Sequence, residues 1–171
     1  MSLTPEEQEI AASLLSKATF PLSRDLFNAW CGSFVVPCVE IALLRNGEKG
    51  REIFLIYRHD EFFKGWHIPG SVIQPGQTIA VMLKKVADNE LQHAQLRPQF
   101  LSWFEHMKGN APNESARGHV ISLVFVSEVP ESLIESEIEK FFPLTDVPGD
   151  LLPEHISVIE KIKVATECNL T

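Results

Sequence analysis

The sequence predicts an α+β fold, a layered sandwich with a mixed sheet and an N-terminal helical extension. Helical periodicity appears near the start of the chain, in its middle and at its end. Between these segments lie aliphatic runs bounded by glycine, proline or asparagine, a pattern typical of strands. Groups of strands that alternate with helices indicate a sheet covered by helices.

The length of 171 residues suits one domain with a sizeable core. We expect an extension over residues 1–33, a main domain over 34–165 and a C-terminal tail over 166–171. Hydrophobic residues make up 44% of the chain and charged residues 22%, as in globular proteins. The net charge of −8 argues against a general nucleic-acid coat, since phosphate backbones attract clustered cations.

Cysteine usage and the chain ends bear on the compartment. The three cysteines are odd in number and form no C-x-x-C pair, which favours a reducing environment over a disulfide framework or a zinc site. The acidic first residues do not resemble a signal peptide. No stretch approaches the ~20 apolar residues that span a bilayer. We therefore expect a cytoplasmic protein without membrane contact.

The first half of the chain predicts two helical units and a hairpin. Thr4 and Pro5 are suited to begin a helix, and residues 22–33 favour one short buried helical turn. Residues 35–44 and 52–57 are expected to be strands, joined through a glycine-containing turn. Residues 59–65 are expected to form a loop.

The second half predicts a central helix, two strands and two helices. Thr78 can cap a helix from Ile79 to Gln92. Strands are expected at 100–104 and 119–126, with a long polar loop over 108–114. An acidic helix is expected at 131–141, a break at 142–144, and a last helix from Pro153 to about Ala165.

The motif Gly65-Trp66-His67-Ile68-Pro69-Gly70 precedes the central helix. Motif and helix together resemble the signature of the Nudix hydrolases, whose box reads G-x5-E-x7-R-E-U-x-E-E-x-G-U, where U is a bulky aliphatic residue. On this chain the leading glycine falls on Ser71 and the first glutamate on Gln77. The arginine–glutamate pair falls on Lys85 and Val86. Two further pieces match the family in order, at residues 75–78 and at 141–155.

The end of the box has lost most of its acids. Its glutamate pair falls on Asn89 and Glu90, and its closing glycine and aliphatic residue fall on Gln92 and His93. Hard divalent cations need oxygen ligands, and carboxylates spaced i, i+3 and i+4 on one helix can hold them together. Those positions here are Val86, Asn89 and Glu90. Glu90 is thus the one box carboxylate that remains.

The resemblance covers about residues 35–163 and implies a Nudix-type α/β/α sandwich for the main domain. Members of this family usually cleave nucleoside diphosphates linked to another moiety, with Mg²⁺ or Mn²⁺ and an attacking water. The candidate residues follow from this resemblance and from side-chain chemistry. They comprise catalytic candidates (Glu90, Glu105, Glu114), metal ligands (Glu90, Asn89) and substrate-binding candidates (Arg58, Trp66, His67, Gly70, Ser71, Gln77, Lys85).

Several of these candidates have a structural alternative. Glu90 fits either a metal site or a local hydrogen bond. Arg58 fits a phosphate or a solvated strand end, and Trp66 a stacked base or the core. A Glu/His pair drawn from Glu105, His106, Glu114 and His119 is a general-base candidate.

Two functional classes therefore stay open. One is a hydrolase of nucleotide-sugars or other nucleoside diphosphate derivatives, with Mg²⁺ or Mn²⁺ held in an impaired or non-standard site. The other is a catalytically inactive Nudix-like module that binds a nucleotide or a protein and needs no metal. The expected ligand in either enzyme or nucleotide binder is a nucleotide-like small molecule. The family's tendency to dimerise leaves a homodimer open as well.

Overall fold

The computed structural model describes residues 3–48, 50–60, 63–107, 118–129 and 133–168. The side chains of residues 167 and 168 are not described. The helices and strands are listed here in chain order: α1 (Pro5–Lys17), α2 (Arg24–Ser33), β1 (Val36–Gly47), β2 (Gly50–His59), β3 (Lys64–His67), β4 (Gly70–Val72), α3 (Ile79–Glu90), β5 (Gln99–His106), β6 (Val120–Glu128), β7 (Glu139–Pro143), a 3₁₀ turn (Pro153–His155) and α4 (Ile156–Cys168).

The seven strands form one mixed sheet. Its main path runs β3-β2-β1-β6-β5, with β4 paired to β1 and β7 paired to β2. Strands β1 and β6 are parallel, and the other pairs are antiparallel. On its other edge β1 pairs with β4 near its start and with β2 near its end. The expected α+β class with a mixed sheet is confirmed.

Side-chain alternation along the central strand divides the core into two layers. Val39, Ile41 and Leu43 of β1 pack in the same cluster as Met82 and Val86 of α3. Because successive strand residues point to opposite faces, Ala42 and Leu44 pack in the other cluster, with Val158, Ile159 and Ile162 of α4. Helices α3 and α4 therefore cover opposite faces of the sheet, which completes the sandwich.

The N-terminal helices form as their capping residues indicate. Thr4 and Glu7 make a reciprocal capping box at the start of α1, and Pro5 occupies its first turn. No residue of α1 is buried. Residues 24–33 form a full ten-residue helix instead of the single expected turn, with Ser23 as its N-cap and Cys31 buried. How the chain divides into extension, main domain and tail remains a prediction.

Most predicted strands, the central helix and the last helix are present, some with longer bounds. The hairpin of β1 and β2 pairs Gly47 with Gly50, as the turn residues predict. The central helix begins after its cap Thr78 and ends at Glu90. The last helix is preceded by the 3₁₀ turn that starts at Pro153. The predicted loop at 108–114 lies outside the described residues.

Three further expectations from sequence are wrong. The break expected at 142–144 begins later, because Phe142 and Pro143 are the last residues of β7 and pair with β2. The acidic stretch 131–141 is not a helix where it is described: residues 133–135 are irregular, and Glu139–Pro143 form β7. Pairing with β2 and the contact of Phe141 with Phe54, whose ring centroids are 5.1 Å apart, decide the conformation there. The loop expected at 59–65 ends early, because β3 begins at Lys64 and pairs with the end of β2.

Within the described parts of the chain, no helix combines the length and the apolar character that crossing a membrane requires.

We predict that Gly65→Ala lowers the free energy of unfolding by about 2 kcal/mol or more. Gly65 has φ of 151°, and a Cβ there would overlap the carbonyl oxygen of Asp150, a backbone atom held by its bond from the Trp66 amide. Urea unfolding measures the loss. Gly149→Ala is the matched control, since nothing lies near its added Cβ. Equal stability of the two variants would contradict this account of the motif.

Candidate functional site

A partly open cavity of about 110 Å³ lies beside the Gly65–Gly70 motif. It lies on the face of β1 opposite α3, because Val36, Cys38 and Glu40 line it while the alternate residues pack under α3. Its volume holds several water molecules or one part of a ligand. The lining residues come from α2, six strands, three loops and the 3₁₀ turn: Cys31, Val36, Cys38, Glu40, Arg58, Phe63, His67, Ile68, Gly70, Ser71, Val72, His106, Val120, Ser122, Leu152, Glu154 and His155.

The floor of this cavity is a buried polar cluster centred on Glu40. The Ser122 hydroxyl donates to Glu40 Oε1 over 2.8 Å, and His155 Nε2 lies 3.5 Å from the same oxygen. The amide of Ile68 donates to His155 Nδ1 over 3.2 Å. Glu40, Ser122 and His155 are at most 8% exposed. The cluster thus joins β1, β6, the motif and the 3₁₀ turn.

Glu40 and His155 shift the pKa of one another. Burial alone would raise the pKa of Glu40, but His155, the Ser122 hydroxyl and His106 together lower it, so the carboxyl group is ionised. The carboxylate in turn raises the pKa of His155 against the effect of burial. The Ile68 amide opposes a second proton on His155, because its N–H uses the Nδ1 lone pair.

Two further histidines at the cavity are held neutral by burial. Burial lowers the pKa of His106, which is 1% exposed. It also lowers the pKa of His67 to about 4. His67 Nδ1 lies 2.8 Å from the Ile68 carbonyl oxygen, so this nitrogen carries the proton and donates. Its Nε2 is left as a hydrogen-bond acceptor.

Arg58 supplies a cation to the cavity wall. Its Nε donates to Asp60 Oδ2 over 2.6 Å, and its guanidinium lies 4.9 Å from the centre of the Phe63 ring. The side chain is 38% exposed, so its remaining N–H groups can meet solvent or an anion. The structure therefore places Arg58 where a phosphate can reach it.

The box helix turns its apolar face into the core and away from the cavity. Met82 is fully buried and Val86 is 1% exposed, both under the sheet face that carries Ile41 and Leu43. Val86 stands where the resemblance places a metal-binding glutamate. A valine there completes the packing of the core and offers no ligand.

The two remaining box positions do not assemble a cation site. Glu90 Oε2 accepts the Gly70 amide over 3.0 Å, and Asn89 is exposed. Burial raises the pKa of Glu90, an effect that the Gly70 bond and the charge of Arg58 oppose. Among the described residues no three His, Cys, Asp or Glu side chains converge in a manner suited to a metal ion. The described residues do not fit the magnesium or manganese cluster that the resemblance implies.

The backbone of the box nevertheless keeps its expected register. Gln92, at the closing glycine position, has φ of 53°, and His93 has φ of 60°. These are left-handed conformations, in which glycine is favoured. Ser71, at the leading glycine position, is not among the described residues with positive φ. Gly70 before it is needed for space, since a Cβ there would lie 2.8 Å from the Val39 carbonyl oxygen.

Four of the predicted site residues line the cavity: Arg58, His67, Gly70 and Ser71. Glu90 contacts its edge through the Gly70 amide. Lys85 donates to Gln74 Oε1 over 3.1 Å, so it fixes the loop before the helix through Gln74 and not through Gln77, whose side chain is exposed.

The other predicted residues are not brought to the cavity. Trp66 packs between Tyr57 and Phe142, with ring centroids 5.3 and 4.8 Å away. Glu105 Oε1 lies 2.7 Å from His119 Nε2, one of the possible Glu/His pairs, but neither residue lines the cavity. Glu114 lies outside the described residues.

Sequence reasoning missed the residues that form the cavity floor. Glu40 was included in an aliphatic strand, where a lone carboxylate is the signal that a buried partner must exist. Ser122 lies within a predicted strand and His155 within the segment that resembles the entry to the last helix. Only the fold shows that these three meet.

Comparison with solved structures identifies this architecture. A mutT/nudix family protein from Listeria innocua aligns with a TM-score of 0.60 at 17% identity, over 80% of this chain and 98% of that one. The NUDIX domain of Shewanella oneidensis NrtR, complexed with ADP ribose, aligns with a TM-score of 0.58 at 16% identity, over 91% and 97%. An Ap4A hydrolase from C. elegans aligns with a TM-score of 0.57 at 13% identity, over 81% of this chain and 100% of that one.

No protein-family model matches the sequence, and no curated protein matches it. The structural likenesses show that the chain has the Nudix fold, which confirms the resemblance at the level of fold. At these identities a shared fold does not carry an activity.

We predict that Glu90→Gln gains stability relative to the wild type as the pH rises. Burial raises the pKa of Glu90 in the folded state, so its favourable contribution is present below the unfolded pKa and is lost as pH rises through the folded value. The glutamine side chain keeps an oxygen that can accept the Gly70 N–H. It does not ionise, so the variant does not lose stability in this way as the pH rises. Urea unfolding of both proteins between pH 4 and 7 measures the difference.

Asp88→Asn on the same helix is the control with the opposite sign. The bond from Lys84 lowers the pKa of Asp88, so this variant should lose stability relative to the wild type as the pH rises. If Glu90→Gln and Asp88→Asn follow the same trend, the burial of the Glu90 carboxylate is refuted.

We predict that His67→Asn reduces the loss of stability on acidification. The pKa of His67 is about 4 in the folded state against 6.5 for the free side chain, so the unfolded chain binds the extra proton as the pH falls from 6.5 to 4. This shift is equivalent to about 3 kcal/mol. Thermal unfolding across this window measures it, and an acid loss as steep in the variant as in the wild type would contradict the buried neutral ring.

Proposed function

We propose that this protein is a Nudix-fold module that binds a nucleotide-like small molecule and does not hydrolyse it by the magnesium-dependent route of the box. One observation carries the proposal. The helix face on which a cation cluster would be built is packed into the core by Met82 and Val86, while a separate polar cavity opens beside the Gly65–Gly70 motif.

The chemistry of diphosphate cleavage supports this separation of binding from hydrolysis. Developing negative charge on a diphosphate needs divalent cations, and those need several hard oxygen ligands at fixed positions. Glu90 is one such ligand by type, but its Oε2 is already bonded to the Gly70 amide. Val86, the exposed Asn89 and the bonded Glu90 do not supply the several oxygen ligands that divalent cations need. A cation site here would need ligands from residues beyond those described.

The cavity has the parts that a binding site for a nucleotide-like compound needs. Arg58 offers guanidinium N–H groups at the wall, which suits a phosphate. Ser71 adds a hydroxyl nearby, and the polar floor around Glu40 offers a second, chemically different region. A site with a cationic wall and an anionic floor suits a ligand whose two parts differ in charge.

The ligand of one structural neighbour and the activity of another support this choice of ligand class as a proposal. The Shewanella oneidensis domain is complexed with ADP ribose, and the C. elegans protein is an Ap4A hydrolase. Both compounds combine phosphates with adenosine. They are therefore suitable probes for this chain.

We predict that ADP-ribose or diadenosine tetraphosphate binds the protein without being cleaved. Isothermal titration calorimetry should give a measurable Kd, and Arg58→Gln should weaken it about tenfold, the cost of one charge-assisted bond. Formation of AMP, ADP or ATP from these probes with Mg²⁺ or Mn²⁺ should stay at the level of the buffer, in the wild type and in Glu90→Gln alike.

Arg51→Gln is the matched control, because Arg51 lies at the other end of β2 and pairs with Glu128. It should bind as the wild type does. Metal-dependent turnover that Glu90→Gln abolishes would establish the hydrolase instead. If neither ADP-ribose nor diadenosine tetraphosphate binds, the nucleotide-binding proposal is refuted.

A further inference from the structure

The floor of the cavity contains polar atoms whose bonding is incomplete. Among the described residues Glu40 Oε2 and both ring nitrogens of His106 are buried without a hydrogen-bond partner. Glu40 is 8% exposed and His106 is 1% exposed, and both line the cavity. Buried polar atoms are nearly always paired, by protein, water or a bound group. Three unpaired atoms at one cavity therefore point to something that enters it.

The donors that are paired at the cavity go to atoms other than Glu40 Oε2. The Ser122 hydroxyl and His155 Nε2 both address Glu40 Oε1, which leaves Oε2 without a donor. The Nδ1 proton of His67 goes to the Ile68 carbonyl. Arg58, the cation at the wall, is held by Asp60. An ionised carboxylate oxygen thus stays unpaired in a buried position, which is costly until a donor arrives.

The arrangement selects one kind of group. A phosphate is disfavoured at this floor, because it brings only acceptors and negative charge toward Glu40. Glu40 Oε2 accepts, whereas the neutral ring of His106 both donates and accepts. The complement is a planar group with an N–H donor next to an unprotonated nitrogen. The end torsions of the Glu and His side chains are soft, so modest rotations can present these atoms to a ligand.

We propose that Glu40 and His106 bind the amino edge of a heterocyclic base, with its exocyclic N–H₂ on Glu40 Oε2 and its ring nitrogen on the His106 N–H. Adenine and cytosine carry this pair of groups. Hypoxanthine and uracil carry the reverse, a carbonyl beside an N–H. The inference rests on the proposed nucleotide-binding function and assigns the base to the floor, which leaves the phosphates for the wall at Arg58.

The first test compares nucleotides that differ at one position of the base. ADP and IDP differ by the 6-amino group against a 6-carbonyl, and CDP and UDP differ in the same way at position 4. Calorimetry of the wild type should show ADP and CDP binding about tenfold or more tighter than IDP and UDP, since a carbonyl there faces a carboxylate. Equal affinities within both pairs would overturn the inference.

Variants of the floor should remove this preference. Glu40→Gln replaces an acceptor oxygen by an amide that can donate, so the preference should fall to about twofold or invert. His106→Phe keeps a planar ring and should also reduce the preference for ADP and CDP. This variant tests the inference if Glu40→Gln does not fold. Glu52→Gln is the matched control: its side chain is 15% exposed and pairs with Arg45, away from the cavity. A preference unchanged in the folded floor variants would overturn the assignment.

A probe without phosphates separates this inference from the proposed function. 2-Aminopyrimidine should shift the His106 ring resonances of the wild type in NMR spectra, and should not do so in Glu40→Gln. If this fragment binds while no nucleotide does, the floor assignment stands and the proposed function fails. If nucleotides bind while the fragment causes no shift, the floor assignment fails alone. Selective broadening of the same resonances by Mn²⁺ would make the floor a metal site and would also overturn it.

Discussion

The buried carboxylate of Glu40 is the constraint on which the arrangement of the site depends. An ionised carboxylate inside a protein is costly unless charged or hydrogen-bonding groups surround it. Here the surroundings come from a hydroxyl 82 positions away on β6 and from His155 on the 3₁₀ turn. His155 is in turn fixed by the amide of Ile68 in the motif. One charge therefore fixes the relation of the central strand, the motif and the start of α4.

The pairing of β1 with its neighbouring strands leaves a cavity beside the Glu40 carboxylate. On one edge β1 is paired to β6 along most of its length, but its other edge changes partner from β4 to β2. The end of the Gly65–Gly70 motif lies at this change of partner, where the Ile41 amide donates to the Pro69 carbonyl oxygen. The two end glycines of the motif allow close approaches that a side chain would block. A cavity bounded by several elements follows from this change of partner, and its polar lining follows from the alternation of side chains along β1.

The sequence predicts the fold better than the site, for a physical reason. Fold signals such as the cap at Thr78 and the glycine turn of the hairpin are local, and so they can be recognised in a single sequence. The helix predicted at 131–141 is wrong because its acidic pattern is a local signal, whereas the strand at its end is stabilised by pairing with β2 and by contact with Phe54. The site needs contacts such as Glu40 with Ser122, across 82 positions, which no local pattern records.

The box on this chain separates two roles that usually occur together. Its backbone role is kept: the helix has its cap, Lys85 ties it to the preceding loop, and Gln92 adopts the left-handed conformation of the closing position. Its metal-binding role is absent at Val86, which the core has taken over. Packing requires only shape and apolar surface, whereas a cation site requires oxygen atoms at fixed positions. The fold can therefore outlast the chemistry, and the ligand binding that we propose then depends on other groups, here those beside Glu40.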